Sequence, residues 1–326
     1  MKACRIHHYQ GPTAVQVDLV DRLEPGPGEV RLRVRAAGLN NSDLQTTYGT
    51  YRGYGHQGLP HSLGQEAAGE VEAVGADVTE FEPGMRVFGH VRGAFAEAAI
   101  GPVSELLLLP SEVSFEVAAS LPIAYLTAIM ALIHTANLQA GEWVLIHPGS
   151  GGVGIAAIQV ARLLGAGIIA TASSDTKVNY LLNLGIEHVL NHTTYDLGAE
   201  VQRITENVGV QVALDGGGQA TLPLCLAGIA NEGHIISYGY TTGMEATLPL
   251  GKLIGRNVKL LGIALWYNKH YQLSLTTLRD RVIPAIIQGH IQPTIQSVRG
   301  LEAVSQLLCQ MEQNRLMGKV VIIPES

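Results

Sequence analysis

Gly149, Gly151 and Gly154, in the string Pro148-Gly149-Ser150-Gly151-Gly152-Val153-Gly154, fall at the spacing G-x-G-x-x-G. Glycine at these points lets backbone approach an anion closely, and a helix starting there aims its unpaired N–H groups and positive dipole end at the same spot. The spacing alone is a weak signal. Here the apolar run Trp143–His147 precedes it, and the amphipathic run Ile155–Leu164, stopped by Gly165, follows. That strand, turn and helix are the context a dinucleotide pyrophosphate requires. Ser150, Gly151, Gly152, Val153 and Gly154 are therefore candidates to hold it. The bland alternative is a tight strand-to-helix turn with no ligand.

Which dinucleotide binds depends on the end of the next strand, where an NAD site places Asp or Glu against the ribose hydroxyls. Gly167–Thr171 runs instead into Ala172-Ser173-Ser174, and the nearest carboxylate, Asp175, reads as the N-cap of a following helix. With no acid to repel a 2′-phosphate, and with Ser173, Ser174 and Lys177 offering donors and a positive charge, the pocket chemistry points to NADPH.

The elements that must position these residues follow from periodicity. Up to about residue 120 the text is short β-like runs with Gly and Pro punctuation, such as Val30-Arg31-Leu32-Arg33-Val34-Arg35, whose alternation predicts antiparallel strands with one buried face. From about residue 125 apolar strands alternate with helical segments, the βαβ rhythm of a parallel sheet. Strands are expected at Trp143–His147, Gly167–Thr171, His188–Leu190, Val212–Asp215 and His234–Tyr238, with Val258–Leu265 closing the sheet. Beyond it, helices near Ser274–Gln288 and Ala303–Asn314 and a strand at Lys319–Ile323 are expected.

Composition narrows the class. Of 326 residues, 47% are hydrophobic and 15% charged, which suits folded domains rather than disorder. A net charge of −7 without clustered Lys and Arg argues against nucleic acid as a partner. Cys4, Cys225 and Cys309 are too few and too scattered for a disulfide framework and read as reduced thiols. Met1–Tyr9 lacks the apolar core of a signal peptide, and apolar stretches such as Ser104–Pro110 are too short to span a bilayer, so a cytoplasmic location away from membranes is expected. His56 with His61 and His188 with His192 are spaced as pairs, but neither pair has a third metal ligand nearby.

The string Val144–Gly154 resembles the medium-chain dehydrogenase/reductase superfamily, and within it the zinc-independent quinone oxidoreductase (zeta-crystallin-like) branch. Gly38-Leu39-Asn40-Asn41-Ser42-Asp43, Leu63-Gly64-Gln65-Glu66-Ala67-Ala68-Gly69, Gly93-Ala94-Phe95-Ala96-Glu97 and Gly318-Lys319-Val320-Val321 extend the likeness over almost the whole chain. The resemblance implies an α/β fold in which a Rossmann doubly wound parallel-sheet domain, 125–265, is inserted in a chaperonin-10-like (GroES-like) β-barrel catalytic domain, 1–124 and 266–326.

In zinc alcohol dehydrogenases of the superfamily, Cys and His hold the catalytic metal. The matching positions here read Asn40, Gln65 and Ile123, and no cysteine lies between Val87-Phe88-Gly89 and Gly93-Ala94-Phe95, so both zinc sites are expected to be lost. Family position places Thr127 and Tyr238-Gly239-Tyr240 beside the cofactor, Asn40 toward the nicotinamide or substrate, and His192 near the adenosine phosphate. Tyr51 resembles the tyrosine that enoyl reductases of the superfamily set beside the substrate; it either donates a proton or packs with Tyr48 and Tyr54 and shapes the pocket. The implied activity is NADPH-dependent reduction of a quinone or an α,β-unsaturated carbonyl. An enoyl-thioester reductase, or an NADPH-binding protein with a structural role, are the alternatives. The apolar closing strand, together with the habit of relatives, implies a homodimer.

Overall fold

The computed structural model describes residues 1–51 and 58–324. His56 and Tyr54 lie outside them. The chain divides into two compact units, one made of Met1–Ile123 with Pro293–Ser326 and the other of Ala124–Gln292.

In the first unit the alternation of the long strand Glu29–Gly38 is realised residue by residue: Val30, Leu32, Val34 and Ala36 are buried. Arg31 pairs on the opposite face with Glu72 at 2.9 Å, and Arg33 and Arg35 with Glu70 at 3.2 and 3.0 Å. This strand is central to a seven-stranded sheet with Ile295–Arg299, Lys319–Ile323, Glu66–Val74, Arg86–His90, Ala98–Pro102 and Leu106–Leu108. Register matters here. Gly38 lies opposite Val321, and Ala37 lies opposite both Ile322 and Ala67, so Asn40, Glu66 and Lys319 are carried to one end of three neighbouring strands. A smaller sheet joins Val15–Leu19, Lys2–Ile6 and His61–Ser62.

The second unit is a six-stranded parallel sheet in the order His188–Asn191, Gly167–Ala172, Trp143–His147, Val210–Asp215, Ile229–Ser237, Lys259–Gly262. The second and third strands in sequence lie to one side of the first and the later three to the other. In such a doubly wound sheet the crevice for a dinucleotide opens at the carboxyl ends of the strands where the order reverses, here beyond His147 and Asp215. The closing strand is shorter than the expected Val258–Leu265, because Leu265–Tyr267 turns into a 3₁₀ segment.

Residues 266–292, expected with the β unit, pack with the parallel sheet. Tyr271, Leu275, Leu278, Val282 and Ile283 are buried. The Thr277 hydroxyl meets His134 Nε2 at 3.0 Å, and Gln159 Nε2 donates to the Gln292 carbonyl at 2.7 Å. The expected single helix Ser274–Gln288 is three segments: Tyr271–Thr277, a π-helical turn Leu278–Val282, and Ile283–Ile287. Pro284 explains the break, since it has no N–H to donate and its ring would strike the carbonyl four residues back in a regular helix. The helix near Ala303–Asn314 spans Ala303–Glu312, and Lys319–Ile323 is a strand as expected. No helix among the described residues is long and apolar enough to cross a membrane.

Candidate functional site

The glycine-rich turn is built as its spacing requires. Gly151 is the N-cap of the helix Gly152–Leu163, and the Gly149 N–H donates to the Thr171 carbonyl at 2.8 Å, tying the turn to the second strand. A Cβ on Gly154 would lie 2.3 Å from the Pro148 carbonyl oxygen and 2.5 Å from that of Gly149, so only glycine closes the turn. A Cβ on Gly151 would meet nothing within 4 Å. The space before the helix N-terminus is open, which is what a pyrophosphate needs. Ser150 is buried beside it.

Ser173 and Ser174 follow the strand Gly167–Ala172, and His192 follows the neighbouring strand His188–Asn191, near enough to Lys177 for that charge to act on the ring. The helix Asp175–Asn183 is capped by Ser174, not by Asp175: the Ser174 hydroxyl accepts from the Lys177 N–H at 3.4 Å, and Asp175 instead accepts from Asn191 Nδ2 at 2.8 Å. A serine at the cap satisfies a helix N–H and keeps its own O–H to donate. Lys177 is 7% exposed, and burial lowers its pKa. The His192 N–H donates to the Ala172 carbonyl at 3.1 Å, and its ring meets that of His147 edge-on with centroids 4.5 Å apart. His188 goes elsewhere, packing against Trp143, so the pair spaced four apart in sequence serves no common site.

Tyr238, Gly239 and Tyr240 follow the fifth strand of this sheet and border the Gly216-Gly217-Gly218 turn. A Cβ on Gly216 would lie 2.6 Å from the Tyr238 ring, and one on Gly218 3.1 Å from the Tyr240 Cα. The turn is held by Asp215, whose buried carboxylate accepts from the N–H groups of Gly217 and Gly218 and from the hydroxyls of Thr221 and Ser237. Burial raises its pKa against those bonds. Asp215 was seen in the sequence only as a strand end; the glycines that follow it were the available signal. Thr127 is buried in the helix Ala124–Ile129, which runs on into a π turn at Met130–Thr135.

Asn40 and Tyr51 belong to the other unit. Asn40 is the N-cap of the helix Asn41–Thr47, and its own N–H donates to the Asp43 carboxylate at 2.8 Å. Its side chain is 9% exposed and fully engaged: Nδ2 donates to Glu66 Oε1 at 2.7 Å and Oδ1 accepts from the Lys319 ammonium. Lys319 also pairs with Glu66, and Glu66 Oε2 accepts from the Ile123 N–H at 2.7 Å. Gly38 permits this packing, since a Cβ there would fall 2.2 Å from Glu66 Oε1. Burial pushes the neighbouring Asp43 carboxyl up to about 7. Neither Glu66 nor Lys319 was singled out in the sequence as a site residue.

Tyr51 follows the turn that leaves this helix, and the Thr50 hydroxyl donates back to the Gln45 carbonyl. The Tyr48 hydroxyl donates to Glu312 of the Ala303–Glu312 helix.

The residues at the zinc-ligand positions do not fit that metal. Asn40 and Gln65 present amides, Ile123 an alkyl chain, and the Glu66 carboxylate is already bonded to an amide, an ammonium and a backbone N–H. Among the described residues no group of three or more His, Cys, Asp or Glu could hold a metal ion.

Residues 152–279 match the family described as Zinc-binding dehydrogenase, and residues 26–111 the family described as Alcohol dehydrogenase GroES-like domain. A curated relative, the quinone oxidoreductase of Pseudomonas aeruginosa, is 31% identical over 319 residues, covering 97% of this chain and 97% of that protein. The structure is similar to Escherichia coli quinone oxidoreductase complexed with NADPH, with a TM-score of 0.91 and 26% identity over 99% of this chain and 100% of that one. It is also similar to CurK enoyl reductase, with a TM-score of 0.87 and 27% identity over 99% of both chains. The glycine turn, the reversed strand order and these likenesses agree: the chain is an oxidoreductase of the medium-chain dehydrogenase/reductase superfamily and belongs to its quinone oxidoreductase-like branch.

Proposed function

We propose that this oxidoreductase reduces quinones or α,β-unsaturated carbonyls with NADPH and without zinc. The observation that carries the reading is the donor set at Asn40 and Gln65. Amides there cannot hold a Lewis acid to activate an alcohol, whereas an acceptor already polarised by conjugation needs hydride placement and a proton. NADPH supplies the hydride when bound. The residues that fit it are Ser150, Gly151, Gly152, Val153 and Gly154 for the pyrophosphate, Ser173, Ser174, Lys177 and His192 for the 2′-phosphate, and Thr127, Tyr238, Gly239 and Tyr240 along the rest. Asn40 and Tyr51 are the candidates on the substrate side.

An NADPH-oxidation screen over quinones, short enals, enones and enoyl-CoAs, run with a chelator present, tests this. Saturable turnover of a quinone or enone that survives the chelator is expected; turnover of none of them, or its loss with chelator, would overturn the proposal. The likeness to CurK enoyl reductase favours an enoyl-thioester reductase as the second reading, and a preference for the enoyl-CoAs would select it. Binding of NADPH with no turnover at all would leave a structural role.

Lys177 sets the cofactor preference in this account. Lys177→Ala should narrow the advantage of NADPH over NADH by about tenfold, the worth of one charge-assisted hydrogen bond. Fluorescence titration of both cofactors measures it, and an unchanged ratio would remove Lys177 from the 2′-phosphate pocket.

The edge strand Lys259–Gly262 supports a homodimer. Leu260 is 42% exposed on it, and Leu250 and Ile254 of the preceding helix are exposed as well. A strand paired on one side only among the described residues, beside apolar side chains, is a template for a second copy. Sedimentation should give twice the monomer mass at micromolar concentration, and only the 34.7 kDa species would refute it.

A further inference from the structure

His192 and His147 form an arrangement that the glycine turn and Lys177 do not account for. His147 ends the first strand of the parallel sheet and is 1% exposed. The Thr171 hydroxyl lies 2.6 Å from its Nδ1, fixing the ring, and burial, helped by the nearby His192, lowers its pKa to about 3. It is therefore a neutral wall. His192 stands against that wall, its centroid 4.5 Å away and its plane turned by 63°. Its Nδ1 is shielded from solvent and has no hydrogen-bond partner among the described residues.

The charged and titratable groups around His192 are few. Lys177, on the helix that follows the second strand, disfavours a proton on the imidazole, as does burial, while a hydrogen bond with Ala172 favours it. Asp175, on the same helix, is turned to Asn191. Asp215, on the strand beyond His147, is occupied by its own turn. Among the described residues no carboxylate is found acting on the ring. Without ligand, His192 is held below its ordinary pKa, and a dianionic group placed between it and Lys177 would reverse the balance.

Resting on the NADPH reading above, we propose that His192, braced by His147 and Thr171, takes up a proton when a 2′-phosphorylated nucleotide binds, so that selectivity for the phosphorylated cofactor rises as the pH falls. The sign follows from linkage. A group whose pKa is raised in the complex strengthens binding below its pKa in the free protein, and that gain is lost as the pH climbs through the value in the complex. The 2′-phosphate itself has a second pKa of about 6 and binds best as the dianion, so its own titration works in the opposite direction. The contribution of His192 is the difference between the intact protein and a variant.

The probes are adenosine 2′,5′-bisphosphate and 5′-AMP, which differ in the 2′-phosphate and contain no nicotinamide, so the result does not depend on turnover. Calorimetric titrations of the full chain and of His192→Gln from pH 8 to pH 6, each in two buffers of different ionisation enthalpy, give affinities and protons exchanged. In the intact protein the ratio of bisphosphate to monophosphate affinity should rise about tenfold over this range. It should take up more protons per bisphosphate bound than the variant does. His192→Gln should lose the rise, and an unfolding transition at the temperature of the intact protein reports that the variant is folded. His192→Phe, which keeps a ring against His147, should behave in the same way. Identical pH profiles in intact protein and variants would overturn the proposal while leaving a pH-independent preference for the bisphosphate, and hence the NADPH reading, in place. A bisphosphate bound no more tightly than 5′-AMP at any pH would overturn both.

Discussion

Replacing Glu66 by alanine should lower the melting temperature by roughly 10 °C. Glu66 is fully buried and accepts from Asn40, Ile123 and Lys319, so its removal takes an acceptor from three donors at once, of which the Asn40 amide keeps the Gly38 carbonyl at 3.3 Å. Lys319, itself 6% exposed, then keeps the Asn40 Oδ1 as its one acceptor among the described residues. Breaking one side of a buried ion pair costs about 3–5 kcal/mol, because the remaining charge stays out of water without its counter-charge. The cost belongs to the orphaned ammonium, and a second change exposes that origin. Glu66→Ala combined with Lys319→Met should recover much of the loss, since an apolar pair can be as stable as the ion pair it replaces. Scanning calorimetry of the two variants decides the matter. A double variant no more stable than Glu66→Ala would mean that lost packing, not stranded charge, is responsible.

Tyr51→Phe should cut enone turnover by roughly 10²-fold while leaving NADPH affinity unchanged. Once hydride has reached the β-carbon of an enone, the enolate needs a proton and its oxygen needs a hydrogen bond, and a phenol can provide both directly or through water. The alternative is a packing role shared with Tyr48 and Tyr54; Tyr48 is bonded to Glu312 and packs against Gly11, where a Cβ would lie 2.6 Å from its hydroxyl, and Tyr54 lies outside the described residues. Phenylalanine keeps the ring and removes the hydroxyl. Quinone reduction should suffer less, because the reduced quinone can take its protons from solvent. Steady-state kinetics on one enone and one quinone separate the cases: unchanged enone turnover removes the donor role, and equal losses on both substrates point to positioning.

What the sequence made legible was local. The glycine turn after Trp143–His147 and the strand Lys319–Ile323 stand where they were expected, because each is set by a few adjacent residues: glycines at fixed offsets, or an apolar run ended by Pro324. The serine-rich end of the second strand was legible in composition but not in detail. Ser174 and Asp175 are both good helix caps, and which one serves is decided by Asn191, a partner from the next strand. What was not legible is long-range. Glu66 and Lys319 are 253 residues apart, and only the sheet register places them against Asn40. His147 reads as the last residue of an apolar strand until Thr171 and His192 are seen beside it. The segment 266–292 has a helical pattern that fits either core, and its place is set by buried contacts such as Thr277 with His134. Within it, Pro284 was visible, yet a proline that widens a turn and one that ends a helix look alike in sequence.

The central claim, hydride transfer from NADPH to a conjugated acceptor, is tested most directly by following the transferred atom. NADPH carrying deuterium at the nicotinamide C4, prepared separately with the label on each face, is turned over with an enone in the presence of a chelator, and the product is analysed by mass spectrometry. For one labelled face, each molecule of saturated ketone is expected to carry one deuterium at its β-carbon, matching the NADPH consumed. Oxidation of both labelled forms with no deuterium in the product, or no oxidation at all with any enone or quinone, would contradict it.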